Sequence, residues 1–358
     1  MNGTQAAVDL DDAEGLLAAD RGGLLRAASM AGAQVRATAA ALDEGDLDAL
    51  KSDRPPRTVI WVSGRGTAER AGSLLAAVLA GSVAAPIVVA PDAPPWIGAL
   101  DVLILAGDDP GDPALVSAAA TGVRRGAQVV VVAPFEGPLR DAAAGRAVVL
   151  APRVRVPDDF GLAHYLGAGL AALGVVDPAL QLDLATLADE LDAEALRNSA
   201  GRELFTNPAK NLAERMSGRD VVLAGDTAAT LALARHGAAM LLRVAHKAVS
   251  AVGLADVLVA LRGGMGTEPG ADYEAGLFHD EQIDGPRPAR VRTFVLATDA
   301  ARPVVVARVT GLHDVDVITA EDVPDVTAPL ASGHPEQQLA MMAVRLEMTA
   351  VYLRLVRG

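Results

Sequence analysis

Residues 58–68 read TVIWVSGRGTA, a mostly apolar run that ends in a turn with two glycines. Residues 58–63 predict a strand whose central four residues are all apolar, which is typical of a strand buried on both faces of a parallel sheet. Residues 68–80 predict a helix directly after the turn. A strand, a glycine-containing turn and a helix in this order predict the first unit of an α/β domain.

The same alternation continues along the first half of the chain. Short runs rich in valine and isoleucine predict four more strands, at residues 86–90, 102–106, 128–133 and 147–151. Helices are predicted at residues 11–42 and 113–122. Because crossovers between parallel strands are right-handed, these elements predict a doubly wound α/β/α sandwich of three layers.

A second alternation of the same kind fills the second half. Strands are predicted at residues 221–224, 257–261, 291–297 and 315–319, and residues 300–310 fit either a strand or a helix. Helices are predicted at residues 160–173, 182–199, 207–216, 227–241, 244–252 and 334–357. We therefore expect two tandem α/β domains with parallel sheets. Residues 1–157 hold an N-terminal helix and the first domain, residues 158–200 connect the domains, and residues 201–358 form the second domain with a C-terminal helix.

Length and composition exclude several classes of protein. A chain of 358 residues with 51% hydrophobic residues predicts about two domains, each with its own core. The formal net charge of −14 argues against nucleic acid or anionic lipid as a partner. The chain has no cysteine, which excludes disulfides, thiolate zinc sites and cysteine nucleophiles. We expect a cytoplasmic protein, because neither a secretory signal nor an apolar run long enough to cross a membrane is visible. We also expect that it needs no cofactor or metal.

The turn after the first strand is the first candidate binding site. It consists of Ser63, Gly64, Arg65, Gly66 and Thr67. Glycines allow backbone N–H groups to approach an anion, the following helix begins with positive potential, and the two hydroxyls add donors. Loops at the carboxyl ends of parallel strands are where such sheets bind ligands. The alternative is a tight turn with a serine cap.

Two further loops of the first domain can contribute to this site. Residues 106–112 read AGDDPGD, which places Gly107 and Asp108 at the end of the third strand, although three aspartates repel a phosphate unless a cation intervenes. Asp112 is better suited to cap the next helix, and a Mg²⁺ site is a weak alternative. Asp92 follows the second strand, where an acid binds a ribose in dinucleotide folds, so a nicotinamide-binding protein is another hypothesis.

Two segments of the second half are candidates for catalysis. His279 lies in a polar loop beside Asp280 and Glu281, which would raise the pKa of the imidazole and allow it to move protons near neutral pH. Lys247 follows His246 on a predicted helix and could lie near the ligand. The alternatives are an exposed loop histidine and a solvated helix face.

Four segments resemble motifs of the sugar isomerase (SIS) domain family, and within it the bifunctional phosphoglucose/phosphomannose isomerases. They are residues 64–68 (GRGTA), 207–213 (NPAKNLA), 279–285 (HDEQIDG) and 349–358 (TAVYLRLVRG). The resemblance follows the family's order over nearly the whole chain. It implies two tandem SIS domains with flavodoxin-like sheets, a sugar phosphate ligand and a homodimer.

The resemblance also implies a reaction, an aldose–ketose isomerisation between glucose or mannose 6-phosphate and fructose 6-phosphate. In the family, a histidine opens the sugar ring and a glutamate takes the proton from C2. His279 matches the histidine, but Val244 stands at the position of the glutamate, Ala68 at that of a phosphate-binding serine, and residues 106–112 are acidic where the family has hydroxyls. Either another carboxylate such as Glu281 replaces the base, or the protein binds its ligand without isomerising it.

Overall fold

The computed structural model describes residues 8–265, 290–321 and 334–357. Its strands form two parallel sheets, ordered β2-β1-β3-β4-β5 and β7-β6-β8-β9. The strands are β1 (Thr58–Ser63), β2 (Ile87–Ala90), β3 (Asp101–Ala106), β4 (Gln128–Val132), β5 (Ala147–Val149), β6 (Asp220–Gly225), β7 (Ser250–Gly253), β8 (Val291–Leu296) and β9 (Val315–Ile318). The predicted pair of parallel-sheet α/β units is therefore confirmed.

Helices cover both faces of each sheet and join the two units. Within the described residues they are α1 (Ala13–Ala19), α2 (Leu24–Ser29), α3 (Ala31–Asp43), α4 (Thr67–Val78), α5 (Pro113–Arg125), α6 (Gly137–Ala143), α7 (Leu162–Val176), α8 (Leu184–Arg197), α9 (Pro208–Met216), α10 (Ala228–Arg243), α11 (Leu254–Arg262), α12 (Arg302–Val309) and α13 (Pro335–Arg357). None of these helices is both long enough and apolar enough to span a bilayer.

Strand β1 shows why the first sheet is buried on both sides. Val59 and Trp61 face a large core that continues through α4, α7 and α13 to the second sheet, whereas Ile60 and Val62 face a smaller core under α5. The Trp61 indole Nε1 donates to the Ala68 carbonyl at 3.1 Å, which fixes the start of α4 against the sheet. Helix α4 also packs on α10 of the second unit. The end of β1 therefore lies close to the junction of the two units.

The predicted helix at residues 11–42 is wrong as a single element, because the structure divides it into α1, α2 and α3. Gly23 adopts a φ of +63°, and the Asp20 carboxylate accepts hydrogen bonds from the amides of Leu24 and Leu25 at 2.8 and 2.9 Å. These contacts end one helix and begin the next. The leucines on either side keep a helical spacing, which hides the break in the sequence.

Two predictions in the second unit are also wrong. Residues 244–252, predicted to be helical, contain β7, and residues 257–261, predicted to be a strand, belong to α11. Among the described strands β7 pairs with β6 alone, so it lies at the edge of the sheet. An edge strand is less enclosed than a central one, and its sequence therefore needs fewer bulky apolar residues. Leu254, Val257 and Leu258 are buried at helical spacing while Val259 is exposed. The ambiguous segment at residues 300–310 contains the helix α12. Helix α6 is not predicted from the sequence. The domain boundaries at 157 and 200 remain predictions.

Candidate functional site

A cavity of about 950 Å³ opens at the carboxyl ends of β1, β2 and β3. Helix α4 follows β1 and helix α5 follows β3, on opposite faces of the sheet, so the cavity lies at the point where the strand order reverses. This is the position at which open α/β sheets bind their ligands. Its lining consists of Ser63, Gly64, Arg65, Glu69, Val89, Ala90, Pro91, Gly107, Asp108, Asp109, Asp112, Pro113, Ala114 and Leu115. Five of the seven predicted binding residues are thus brought together, and we refer to this space as the switch-point cavity.

The two glycines of this lining keep the cavity open, although their own amides are engaged. The Gly64 amide donates to the Ala106 carbonyl at 2.9 Å, and the Gly107 amide donates to the Val132 carbonyl at 3.2 Å. A Cβ at Gly64 would lie 3.1 Å from the Asp112 carboxylate. The amides of Gly64 and Gly107, predicted to bind an anion, are therefore used in hydrogen bonds to neighbouring strands. What the two glycines contribute to the cavity is the space left by the missing side chains.

The other end of the turn begins helix α4. Gly66 adopts a φ of +99° and has no side chain that could cap the helix. The first amides of a helix have no acceptor within it, so this end carries positive potential. Thr67 is 0% exposed, and its hydroxyl accepts a hydrogen bond from the Arg70 guanidinium at 3.1 Å. Gly66 and Thr67 therefore lie behind the switch-point cavity and outside its lining.

Acidic side chains dominate the lining of the cavity. Asp112 caps α5 by accepting from the Ala114 amide at 2.8 Å, as expected. Asp109 accepts from the Gly111 amide at 2.7 Å, and Asp108 is exposed. With Glu69 these residues place four carboxylates against the single guanidinium of Arg65. At 4 Å and an effective dielectric constant of 20, two unit charges interact by about 4 kcal/mol. The excess of carboxylates over guanidinium groups therefore strongly affects which anions can bind in the cavity.

A cluster of charges lies behind the turn, where the two units meet. Arg243 of α10 contacts Asp158 at 3.3 Å and Asp159 at 2.6 Å. Burial and the nearby Arg243 guanidinium lower the pKa of Arg70, while burial and the Asp108 carboxylate raise the pKa of Asp158. Asp158 is thus influenced both by Asp108 of the cavity lining and by Arg243 of the second unit.

Sequence reasoning missed a buried histidine–glutamate pair beside this cluster. His236 Nε2 lies 3.0 Å from Glu347 Oε1, and both side chains are almost completely buried between α10 and α13. Burial raises the pKa of the Glu347 carboxyl, and contact with His236 acts in the opposite direction. The two residues are 111 positions apart, so no local motif could have revealed the pair.

Of the remaining candidates, the two that the structure describes lie outside the switch-point cavity. Lys247 follows α10 outside any helix, and its Nζ donates to the Arg219 carbonyl at 2.5 Å, next to the amino end of β6. Asp92 is exposed, accepts from the adjacent Ala93 amide at 2.7 Å and is not part of the lining. His279 and Glu281 lie outside the described residues. Within the described ranges no three acidic or imidazole groups converge as a metal site would require.

Solved structures resemble the whole chain. A "glucose-6-phosphate isomerase like protein" from Thermus thermophilus is 19% identical, with a TM-score of 0.54 over 98% of this chain and 94% of its own. Tagatose-6-phosphate ketose/aldose isomerase from Escherichia coli is 16% identical, with a TM-score of 0.62 over 99% and 96%. The chain has the fold of the phosphosugar isomerases.

A third solved structure with this fold is named as part of an aminotransferase. The C-terminal domain of glucosamine-fructose-6-phosphate aminotransferase from Francisella tularensis is 12% identical, with a TM-score of 0.60 over 94% of this chain and 96% of its own. No family model matches the chain, and no curated protein matches it. The tandem SIS-type architecture expected from the resemblance is thus confirmed at the level of the fold.

Proposed function

We propose that this protein binds a phosphorylated sugar in the switch-point cavity and is a divergent aldose–ketose isomerase for glucose 6-phosphate, mannose 6-phosphate and fructose 6-phosphate. The observation that carries the proposal is the cavity itself. It is large enough for a hexose phosphate and lies at the strand reversal of a fold shared with proteins that are named for phosphorylated sugars.

The two sides of the cavity lining offer different environments to the two parts of the ligand. Arg65 offers positive charge to the phosphate, since a guanidinium forms strong charge-assisted bonds with phosphate oxygens. Asp108 and Asp109 can accept hydrogen bonds from sugar hydroxyls on the other side of the cavity. We therefore place the phosphate toward Arg65 and the sugar toward the β3 loop.

For the reaction, the resemblance assigns ring opening to His279. Because Val244 stands at the position of the family's glutamate, Glu281 is the carboxylate that we propose as its replacement, moving a proton from C2 to C1. The transfer of one proton from C2 to C1, and of a second proton from the C2 hydroxyl to the C1 carbonyl oxygen, converts an aldose into a ketose without any external redox partner. The resemblance also implies a cytoplasmic homodimer. These assignments remain predictions.

A coupled assay with fructose 6-phosphate as the starting sugar tests the activity. Formation of glucose or mannose 6-phosphate that His279→Ala abolishes, and that the exposed control His313→Ala retains, is the expected result. Loss of turnover in both variants, or none in either, would contradict the role of His279.

The second candidate function is sugar-phosphate binding without turnover, as in a sensor or scaffold. The acidic residues 106–112 favour it, because the family's hydroxyl donors are replaced there by groups that repel phosphate. Protection from heat by glucose or fructose 6-phosphate without turnover would support this candidate. Protection by NAD and by none of the sugar phosphates would favour the nicotinamide hypothesis and contradict both.

Opposite changes in affinity are expected from two residues of the lining. Arg65→Ala is expected to weaken glucose 6-phosphate binding by about 10- to 100-fold, because a hydrogen bond to a charged group contributes about 1.5–3 kcal/mol. Asp108→Asn is expected to strengthen binding severalfold, because it removes a like charge. Isothermal titration calorimetry measures both, with exposed Arg21→Ala and Asp141→Asn as matched controls. Weaker binding by Asp108→Asn would place the phosphate elsewhere.

A further inference from the structure

A second, smaller cavity of about 250 Å³ lies between α3, α7 and the segment that follows β5. It is lined by Gln34, Ala37, Thr38, Ala41, Asp46, Val149, Leu150, Ala151, Pro152, Arg153, Val154 and His164. None of these residues lines the switch-point cavity. We call it the α3–α7 cavity, and the function proposed above does not use it.

Gln34 gives this cavity a hydrogen-bond acceptor in a fixed orientation. Its Nε2 donates to the Phe160 carbonyl at 3.0 Å. Because a carbonyl can only accept, the amide cannot be reversed without losing this bond. Oε1 is buried and has no hydrogen-bond partner within the described residues, although Gln34 is only 2% exposed. An unpaired buried acceptor is unfavourable, so this oxygen favours a ligand that donates a hydrogen bond.

His164 places a second unsatisfied group in the same lining. It is 9% exposed, and its Nε2 is buried without a partner among the residues that the structure describes. Burial lowers the pKa of His164 to about 4, so the imidazole is neutral near pH 7. A neutral imidazole offers one donor and one acceptor. The ring therefore complements a polar group without introducing charge.

The charged residues at the rim bind one another and leave an excess of negative charge, because one guanidinium faces two carboxylates. The Arg153 guanidinium contacts both Glu44 oxygens, at 2.9 and 2.6 Å, and lies 2.9 Å from an Asp46 oxygen. Most of the remaining wall consists of alanine, valine, leucine and proline side chains. An anion would lose its hydration in this cavity and meet the excess negative charge, and a cation would have to compete with Arg153 for the same carboxylates; both are unfavourable. The occupant should be uncharged.

We propose that the α3–α7 cavity binds an uncharged nitrogen heterocycle of nucleobase size that carries an amino or ring N–H donor toward Gln34. A cavity of about 150 Å³ holds benzene, so about 250 Å³ admits a larger planar ring while remaining below the range for drug-sized ligands. A free hexose fits less well, because it has more hydroxyls than the two unsatisfied side chains can pair.

Saturation-transfer NMR with adenine and cytosine tests this proposal on the full chain. Both bases are expected to give saturable signals, whereas glucose and toluene should give none. Adenosine as an additional probe distinguishes a free base from a nucleoside as the source of the ring, and AMP, whose phosphate is charged, should give no saturable signal. Absence of saturable binding by every uncharged base-containing probe, or a high-resolution structure in which only water fills the cavity in the presence of adenine, would overturn the proposal.

Variants of α3 separate binding from folding. Ala37 lines the cavity, so Ala37→Leu fills it and is expected to weaken adenine binding at least tenfold while the protein stays folded. Ala40 lies exposed on the same helix, and Ala40→Leu is the matched control. Gln34→Leu removes the acceptor and is expected to weaken binding about tenfold. Equal affinity of Ala37→Leu and the wild type would show that adenine binds elsewhere and would overturn the assignment.

Discussion

Replacing Arg345 with methionine is expected to lower the free energy of unfolding by about 3–5 kcal/mol, because it leaves a buried carboxylate without its main partner. Arg345 Nε lies 2.8 Å from Glu194 Oε1, which joins α13 to α8. The two residues are 1% and 0% exposed. At this depth the remaining charge of Glu194 cannot regain its hydration.

The neighbours of this pair show how strongly the charge is held. Glu194 also accepts hydrogen bonds from Asn198 at 2.7 Å and from Arg197 at 2.9 Å. Arg345 donates to the carbonyls of Thr319 and Ala320 at 2.8 and 3.0 Å. Burial alone would raise the pKa of Glu194, but Arg345 and the other partners outweigh it, so the pKa lies below its ordinary value. The carboxyl is therefore ionised in the folded protein at neutral pH.

Urea-induced unfolding at pH 7 measures the effect, and α3 supplies a matched control. Arg36 also bonds to α8, through Asp189 at 2.9 Å and Asp192 at 2.8 Å, but its side chain is half exposed. Arg36→Met is expected to cost less than about 1 kcal/mol, because water screens an exposed ion pair. Adding Glu194→Leu to Arg345→Met should recover part of the loss. A loss below about 1 kcal/mol in Arg345→Met would contradict the expectation.

The sequence predicts the centre of each sheet better than its edges. The predicted bounds of strand β1, Thr58–Ser63, are those that the structure shows, because a strand with neighbours on both sides is apolar at nearly every position. Strand β7 at the edge reads Ser-Ala-Val-Gly, which has no such signal. The valine run of α11 predicts a strand wrongly, since a run of five apolar residues does not distinguish the two structures.

The sequence likewise predicts some features of the candidate site and not others. The loops after β1 and β3 could be located from the sequence, because the carboxyl ends of neighbouring parallel strands meet at one edge of the sheet. The engagement of the Gly64 amide by Ala106, and the burial of Thr67 behind the cavity, depend on the packing of the loops. Contacts such as that between Glu194 and Arg345 span 151 residues and have no local pattern.

Lowering the pH from 7 to 4 is expected to destabilise the protein, with a contribution of about 3 kcal/mol from His164 alone. Burial lowers the pKa of His164 from 6.5 to about 4. In the unfolded chain the imidazole takes up a proton below about pH 6.5, whereas in the folded protein it stays neutral down to about pH 4. The unfolded state therefore binds more protons in this interval, and stability falls as the pH falls. A difference of about 2.5 pKa units at 1.36 kcal/mol per unit gives the magnitude.

Comparison with a variant isolates this contribution from that of the carboxylates. His164→Phe keeps a ring of similar size but cannot titrate. Between pH 7 and pH 4 the variant should therefore lose about 3 kcal/mol less of its free energy of unfolding than the wild type loses. Urea-induced unfolding at half-unit steps of pH measures both curves. His313→Phe is the matched control, because it makes the same substitution at an exposed position. Parallel curves for His164→Phe and the wild type would mean that water reaches the imidazole, and the α3–α7 cavity would then be open to charged ligands as well.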